Sequence, residues 1–117
     1  MAGSDDLLGD DAEFDKFAEE YERRRDALNE RISDYMDEEE FDEEYAAQLL
    51  LDLAINMRMA AYAQSVEQPS VGGVRLDLDR FRGEVDAFVR EAKKSADEYI
   101  AAVKAARAAA DAEDGST

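Results

Sequence analysis

The chain of 117 residues contains no Cys, no His and no Trp, and only one Pro. Without Cys or His it cannot build a zinc finger, a thiol nucleophile, a Ser-His-Asp triad or a histidine-ligated haem site. A catalytic site would have to use carboxylates, Tyr, Lys, Arg or Ser, and no cofactor is predicted. Apolar residues make up 45% of the chain, which suffices for one hydrophobic core in one domain.

Basic residues are also scarce: 14 Lys and Arg stand against 31 Asp and Glu, and the formal net charge is −17. This high Asp content with few Lys resembles the composition of proteins from salt-accumulating halophiles. At about 1 M salt the Debye length is about 3 Å, so repulsion between these charges is screened, whereas in dilute buffer it opposes compaction. We therefore expect a protein of a high-salt cytoplasm.

The longest basic run, the three arginines at residues 23–25, does not predict a nucleic-acid site. Glu19 and Glu20 precede it at i,i+4 spacing and would neutralise it within one helix. The sequence contains no basic stripe that could release counterions from a phosphate backbone, so we expect no direct nucleic-acid binding. The reverse alternative, an acidic mimic of nucleic acid that binds a basic partner, stays open.

Long apolar runs are missing too. The most apolar window, residues 45–63, contains Asp52 and Arg58, and a charge in mid-membrane costs about 2.5–3.5 kcal/mol on insertion scales. The N-terminus is acidic and no apolar stretch follows it, so no signal peptide is predicted. We expect a cytoplasmic protein that does not enter a membrane.

Helical periodicity is the main structural signal. Residues 1–9 are polar and Gly-containing and are predicted to be a disordered tail. The first helix is predicted over residues 10–36, with Asp10 and Glu13 at capping-box spacing. Its apolar residues fall on one face: Phe14, Phe17, Tyr21, Leu28, Ile32 and Tyr35.

The acidic run at residues 37–44 is interpreted as a helix start. Asp37 would be the N-cap, Glu40 its capping-box partner, and Met36 would pack on Phe41. Helices one and two would then form an antiparallel hairpin. The alternative is one helix that continues through Asp37, because no Gly or Pro interrupts it.

The second helix is predicted over residues 38–65 and has apolar stripes on two opposite sides. The stripes are Leu49, Leu53, Met57 and Ala60, with Leu50 beside them, and Leu51, Ile55, Met59 and Tyr62. A helix that packs only on its neighbours in a three-helix bundle needs one apolar sector. Two opposed stripes instead indicate either that the helix is sandwiched or that one stripe, with the second as the candidate, contacts another subunit.

A polar line formed by Gln48, Asp52 and Asn56 runs beside the second stripe, with Arg58 nearby. It is either a buried network that fixes the register between helices or the solvent edge of the helix. Both interpretations stay open.

Residues 66–78 are predicted to be a connector, because Pro69 and two glycines interrupt the helical spacing. Val74, Leu76 and Leu78 alternate with polar residues, which indicates a short extended segment. The segment is either a connector over one end of the bundle or a loop that docks a partner.

The third helix is predicted over residues 79–110, and a tail is predicted at residues 113–117. The apolar stripe of the third helix follows a heptad pattern with one extra four-residue step. The stripe residues are Phe81, Val85, Phe88, Ala92, Ala96, Tyr99, Val103, Ala106 and Ala110.

An enzyme would have to rest on acidic residues. All-α nucleotide pyrophosphohydrolases hold Mg²⁺ with carboxylate pairs at helical spacing on two helices, and Glu40 and Glu43 have that spacing. A second pair is missing, since the second helix offers only Asp52. A chain this rich in acids forms one such pair by chance, so no catalytic or metal-binding residue is assigned.

The sequence thus predicts an all-α protein with one domain at residues 10–112. A helical hairpin plus a long third helix forms a bundle that self-association completes, as a dimer. The favoured function is a non-enzymatic protein-interaction or assembly module. The alternatives are a Mg²⁺-dependent enzyme similar to the nucleotide pyrophosphohydrolases and the acidic mimic. The candidate interface residues are Leu51, Ile55, Met59, Tyr62, Val74 and Leu76.

Overall fold

The computed structural model describes the backbone of residues 2–115 and the side chains of residues 12–115. Over that part the chain forms four α-helices and no β-strand: α1 at Ala2–Glu39, α2 at Glu43–Ser65, α3 at Val71–Lys94 and α4 at Ala96–Gly115. The predicted all-α class is confirmed. The chain divides within α2 into two units, Met1–Asp52 and Leu53–Thr117, and each is described by itself. None of the described helices is long and apolar enough to cross a membrane.

Helix α1 is longer at both ends than the predicted helix at residues 10–36. Its backbone is helical from Ala2, where the composition predicted a disordered tail at residues 1–9; Met1 lies outside the described residues. Between Ala2 and the predicted start Gly3 and Gly9 disfavour a helix most, each by about 1 kcal/mol relative to Ala. Two such residues without a Pro do not end a helix.

The turn between α1 and α2 lies at Glu40, later than predicted. Glu40 has a positive φ of 58°, and the N–H of Phe41 donates to the carbonyl of Met36 at 3.2 Å. This is the bond of a Schellman motif, in which a left-handed residue ends the helix. The alternative of one continuous helix is wrong, because α1 ends at Glu39 and α2 begins at Glu43, and the break predicted at Asp37 lies at residues 40–42 instead.

Asp42, not the predicted Asp37, caps α2. Its Oδ1 accepts a hydrogen bond from the N–H of Tyr45 at 3.0 Å, and its carbonyl accepts one from Ala46 at 3.0 Å. The predicted residue type of the cap, an aspartate, was right, and its predicted position was wrong. Because almost every residue at 37–44 is acidic, residue type alone does not select the cap.

Aromatic packing at Phe41 fixes the position of the turn in the first unit. Its ring makes edge contacts with Tyr35, at a centroid distance of 5.8 Å, and with Tyr45, at 5.2 Å. Edge-to-face pairs of this kind stabilise by about 0.5–1.5 kcal/mol beyond their area. One turn into α2 lies Ala46, which is 6% exposed and is the only buried residue among residues 12–115.

The connector between α2 and α3 is much shorter than the predicted residues 66–78. Helix α2 ends at Ser65, as predicted, and α3 already begins at Val71. The extended segment predicted around Leu76 is wrong, because that stretch is helical. The half-buried residues follow helical and not alternating spacing: Val74, Leu78, Phe81 and Val85.

The predicted third helix at residues 79–110 is divided at Ser95, where the backbone has φ −92° and ψ 3°. The hydrogen-bond ladder passes through it, from Ser95 N–H to the carbonyl of Glu91 at 3.2 Å and from Tyr99 N–H to the carbonyl of Ser95 at 3.0 Å. The division coincides with the extra four-residue step of the heptad pattern, which locally changes the winding of such a helix. Helix α4 reaches Gly115, so the predicted tail at residues 113–117 is helical to there, and residues 116–117 lie outside the described part.

The predicted core stripes are largely uncovered within residues 12–115. On α1 the large apolar side chains are exposed, and only Ile32 of the predicted stripe is half-buried. On α3 and α4, Phe81, Val85 and Val103 of the predicted stripe are half-buried, while Phe88 and Tyr99 are exposed. The bundle completed by self-association stays a prediction.

Candidate interaction surface

In the second unit, Arg58 holds α2 against α3. Its Nε and one terminal nitrogen donate to the two carboxylate oxygens of Asp77, at 2.9 Å and 3.4 Å. The other terminal nitrogen donates to Glu84 at 2.8 Å, and the guanidinium lies 5.5 Å from the ring centroid of Phe81. A fork of this kind fixes orientation as well as distance.

The electrostatics of this contact favour the charged form of the arginine. The hydrogen bond to Asp77 is the largest reason that the pKa of Arg58 is raised above the ordinary value for this side chain, and the charge of Glu84 acts in the same direction. Arg58 therefore stays protonated. Its role is to orient α3, and nothing in its partners suggests a proton-transfer function.

Tyr62, one turn further along α2, holds the first turn of α3. Its hydroxyl oxygen accepts a hydrogen bond from the N–H of Ser70 at 3.2 Å, and its phenol lies directly against Gly73. Ser70 is the N-cap of α3, since its Oγ accepts from the N–H of Gly73 at 3.0 Å. An N-cap serine satisfies one of the free N–H groups at a helix start.

The six predicted interface residues fall into two groups. Ile55, Met59, Tyr62 and Val74 are half-buried within the chain. The two that are more than half exposed are Leu51 and Leu76. The role of all six residues in binding stays a prediction. Only Leu51 and Leu76 expose most of their side-chain surface.

In the second unit, the more exposed stripe of α2 is not the one that was predicted to form the interface. In the second unit Leu53 is 51% exposed and Met57 67% exposed, while Met59 on the opposite stripe is half-buried. Sequence reasoning recognised two stripes but not which of them faces α3. Local spacing offers no signal for this choice, because Arg58, which pairs with the acids of α3, is adjacent in sequence to both Met57 and Met59.

The polar line of α2 is its solvent edge. Gln48, Asp52 and Asn56 are all exposed, which excludes a buried network there. Arg58, which was expected near this line, is paired with α3 instead.

In the first unit, α1 presents a second uncovered apolar face. Phe17, Tyr21 and Leu28 are each more than half exposed. Together with three charged side chains they line a shallow groove along the helix. The three charged residues are Glu20, Arg24 and Arg25.

The acidic residues do not form a metal centre in the described part of the chain. No group of three or more His, Cys, Asp or Glu there is placed to hold a metal ion. Glu40 lies outside both helices at its positive φ, so it does not share a helical face with Glu43 as the enzyme alternative requires.

No protein-family model, no curated protein and no solved structure matches this chain. Its function must therefore be argued from its own surfaces.

Proposed function

We propose that this chain is a non-enzymatic protein-interaction or assembly module whose exposed apolar helix faces become buried against a partner. One observation carries the proposal. Among residues 12–115 only Ala46 is buried, while large apolar side chains are exposed on all four helices. Contiguous exposed apolar surface marks interaction sites, because soluble monomers rarely leave it open.

The helices themselves point to association. Most helical stability in proteins comes from packing of an apolar face, since an isolated helix is marginal in water. A chain of four helices with one buried residue in its described part gains little from internal packing. Association would supply the missing burial, at about 25 cal/mol for each Å² of apolar surface removed from water.

The proposed setting is a high-salt cytoplasm. The net charge of −17 makes any association of two such chains repulsive in dilute buffer. At molar salt this repulsion is screened over a few ångströms, while apolar contact is retained. The composition and the exposed faces thus fit the same conditions.

The test is the loss of assembly without the loss of fold. The purified chain in molar KCl is compared with Phe17→Asp and Leu28→Asp, which place a charge on the exposed apolar face of α1. Asn29→Asp adds the same charge at an exposed polar position of α1 outside that face and is the matched control. Light scattering should show an assembly for the native chain and the control, and a smaller species for both variants, with helicity by circular dichroism unchanged.

Two results would overturn the proposal. One is a chain that stays monomeric in molar KCl and takes up no stoichiometric partner when it is purified from its own cell extract under the same salt. The other is Mg²⁺-dependent nucleotide hydrolysis that Glu43→Gln abolishes while the helicity is retained.

A further inference from the structure

The apolar face of α1 has the repeat of a coiled coil. Phe14, Tyr21 and Leu28 recur at seven-residue spacing, and Phe17 lies between the first two. Phe14 is 70% exposed and Phe17 67%, and the rings of Phe17 and Tyr21 stack at a centroid distance of 6.4 Å. A seven-residue apolar repeat is the pattern by which one helix packs into another.

Two arginines occupy the alternate core position of this repeat. Arg24 and Arg31 follow Phe17 at the same seven-residue spacing. Within residues 12–115 neither of them forms an ion pair. A guanidinium that is covered by a partner needs a carboxylate or an aromatic ring against it. The partner of this face is therefore expected to place a carboxylate and an aromatic ring against Arg24 and Arg31.

The groove of α1 is complementary to itself. In chain order its lining is apolar, acidic, aromatic, basic, basic and apolar. Two residues before the midpoint of the groove have a complementary residue at the same distance after it: Phe17 with Leu28, and Tyr21 with Arg24. A surface with this symmetry fits a second copy of itself across a twofold axis.

We propose that α1 pairs with α1 of a second copy as an antiparallel two-stranded coiled coil, centred between Glu22 and Arg23. Phe17 packs on Leu28 of the second copy, once at each end of the groove. The paired segment, residues 13–32, is about 30 Å long. This inference deepens the proposed function, on which it rests, by naming the partner and the face.

The antiparallel arrangement gives every arginine of the seam a ring and a carboxylate. Tyr21 lies opposite Arg24 of the second copy, which suits a guanidinium stacked on a ring. Glu20 flanks the same position and accepts an ion pair from that guanidinium. One heptad away the arrangement repeats with Phe14, Glu13 and Arg31 of the second copy.

The charges also select this orientation. In a parallel pair in register, Arg24 would lie against Arg24 and Arg31 against Arg31. Like charges placed together across an interface disfavour that arrangement strongly. The antiparallel pair removes both clashes and replaces them with opposite charges.

A charge-swap experiment in molar KCl tests the pairing. Arg24→Glu and Glu20→Arg should each weaken self-association about tenfold in sedimentation equilibrium, because each places like charges across the seam. A mixture of the two variants should recover the native affinity, because residues 20 and 24 again carry opposite charges wherever the two different copies meet across the seam. Arg23→Glu, on the outer side of the helix, is the matched control and should associate like the native chain.

Spin labels test the orientation, and the absence of native Cys makes each introduced thiol unique. Ala12→Cys and Ser33→Cys lie outside the seam and equally far from its centre. Copies labelled at residue 12 should be separated by about 30 Å along the axis. Mixed copies, labelled at residue 12 in one and residue 33 in the other, should lie at the same level and give a short distance.

Three results would overturn the inference. They are a mixture that does not recover, a short distance between two labels at residue 12, and self-association that Arg24→Glu leaves unchanged. If Leu53→Asp dissolves the assembly while Arg24→Glu does not, the inference fails and the proposed function stands. If a different protein covers α1 while the purified chain stays monomeric, the inference likewise fails alone.

Discussion

The phenol group of Tyr62 occupies the space in which a Cβ of residue 73 would lie. Gly73 is therefore the residue that lets α3 begin one short loop after α2. Its N–H is bound by the N-cap Ser70, whose own N–H donates to the Tyr62 hydroxyl. The glycine is required by a close approach and not by an unusual backbone, since α3 is helical there.

Gly73→Ala should lower the free energy of unfolding by about 1–3 kcal/mol, because the added methyl group forces Tyr62 out of its place. The matched control is Gly72→Ala, next to it in the same helical turn, where nothing lies within 4 Å of the added Cβ. That variant should stabilise by about 0.4–1 kcal/mol, since Ala reduces the freedom of the unfolded chain. Urea unfolding in molar KCl measures both, and equal effects would contradict the close approach.

Asp42→Ala should destabilise by about 1 kcal/mol, the usual cost of removing an N-cap. The carboxylate of Asp42 accepts the N–H of Tyr45, and alanine leaves that group without its partner. Asp37→Ala is the control, because Asp37 lies inside α1 and its loss should change stability by less than about 0.5 kcal/mol. A larger loss of stability in Asp37→Ala than in Asp42→Ala would show that Asp37 is the cap.

Glu40→Gly should stabilise by about 1 kcal/mol, since a left-handed conformation costs a residue with a Cβ about that much. Glu39→Gly, one residue earlier and still helical, should instead destabilise by about 1 kcal/mol. Thermal unfolding followed by circular dichroism distinguishes the two. A loss of stability in Glu40→Gly would show that the turn lies elsewhere.

Self-association should strengthen as KCl rises from dilute to molar concentrations. Two chains of net charge −17 repel each other, and salt screens this repulsion more than it weakens apolar contact. An acidic mimic bound to a basic partner would show the opposite trend. Dissociation constants from sedimentation at several salt concentrations give the sign directly, and self-association that weakens as salt rises would contradict this prediction.

Helix positions with strong periodicity could be predicted from the sequence. The end of α2 at Ser65 and the single apolar face of α1 followed from residue spacing alone. The start of α3 did not, because the two glycines near Pro69 were interpreted as a break. Val74 and Leu78 are compatible with alternation and with a helix. The contacts that hold this stretch to α2 are those of Tyr62 with Ser70 and of Arg58 with Asp77, which join residues apart in the chain.

Which faces are covered could not be predicted. The two stripes of α2 have similar apolar character, and the choice between Met57 and Met59 depends on the ion pairs of Arg58 with Asp77 and Glu84. Those pairs join residues far apart in the chain. Local spacing does not contain that information.

The molar mass of the purified chain in molar KCl, measured by light scattering over a range of concentrations, tests the central claim most directly. The account predicts a mass of twice the 13.1 kDa of one chain, which dissociates on dilution. A constant mass of 13.1 kDa at every concentration, with the helicity of the chain intact, would contradict self-association and leave the exposed helix faces without the partner proposed for them.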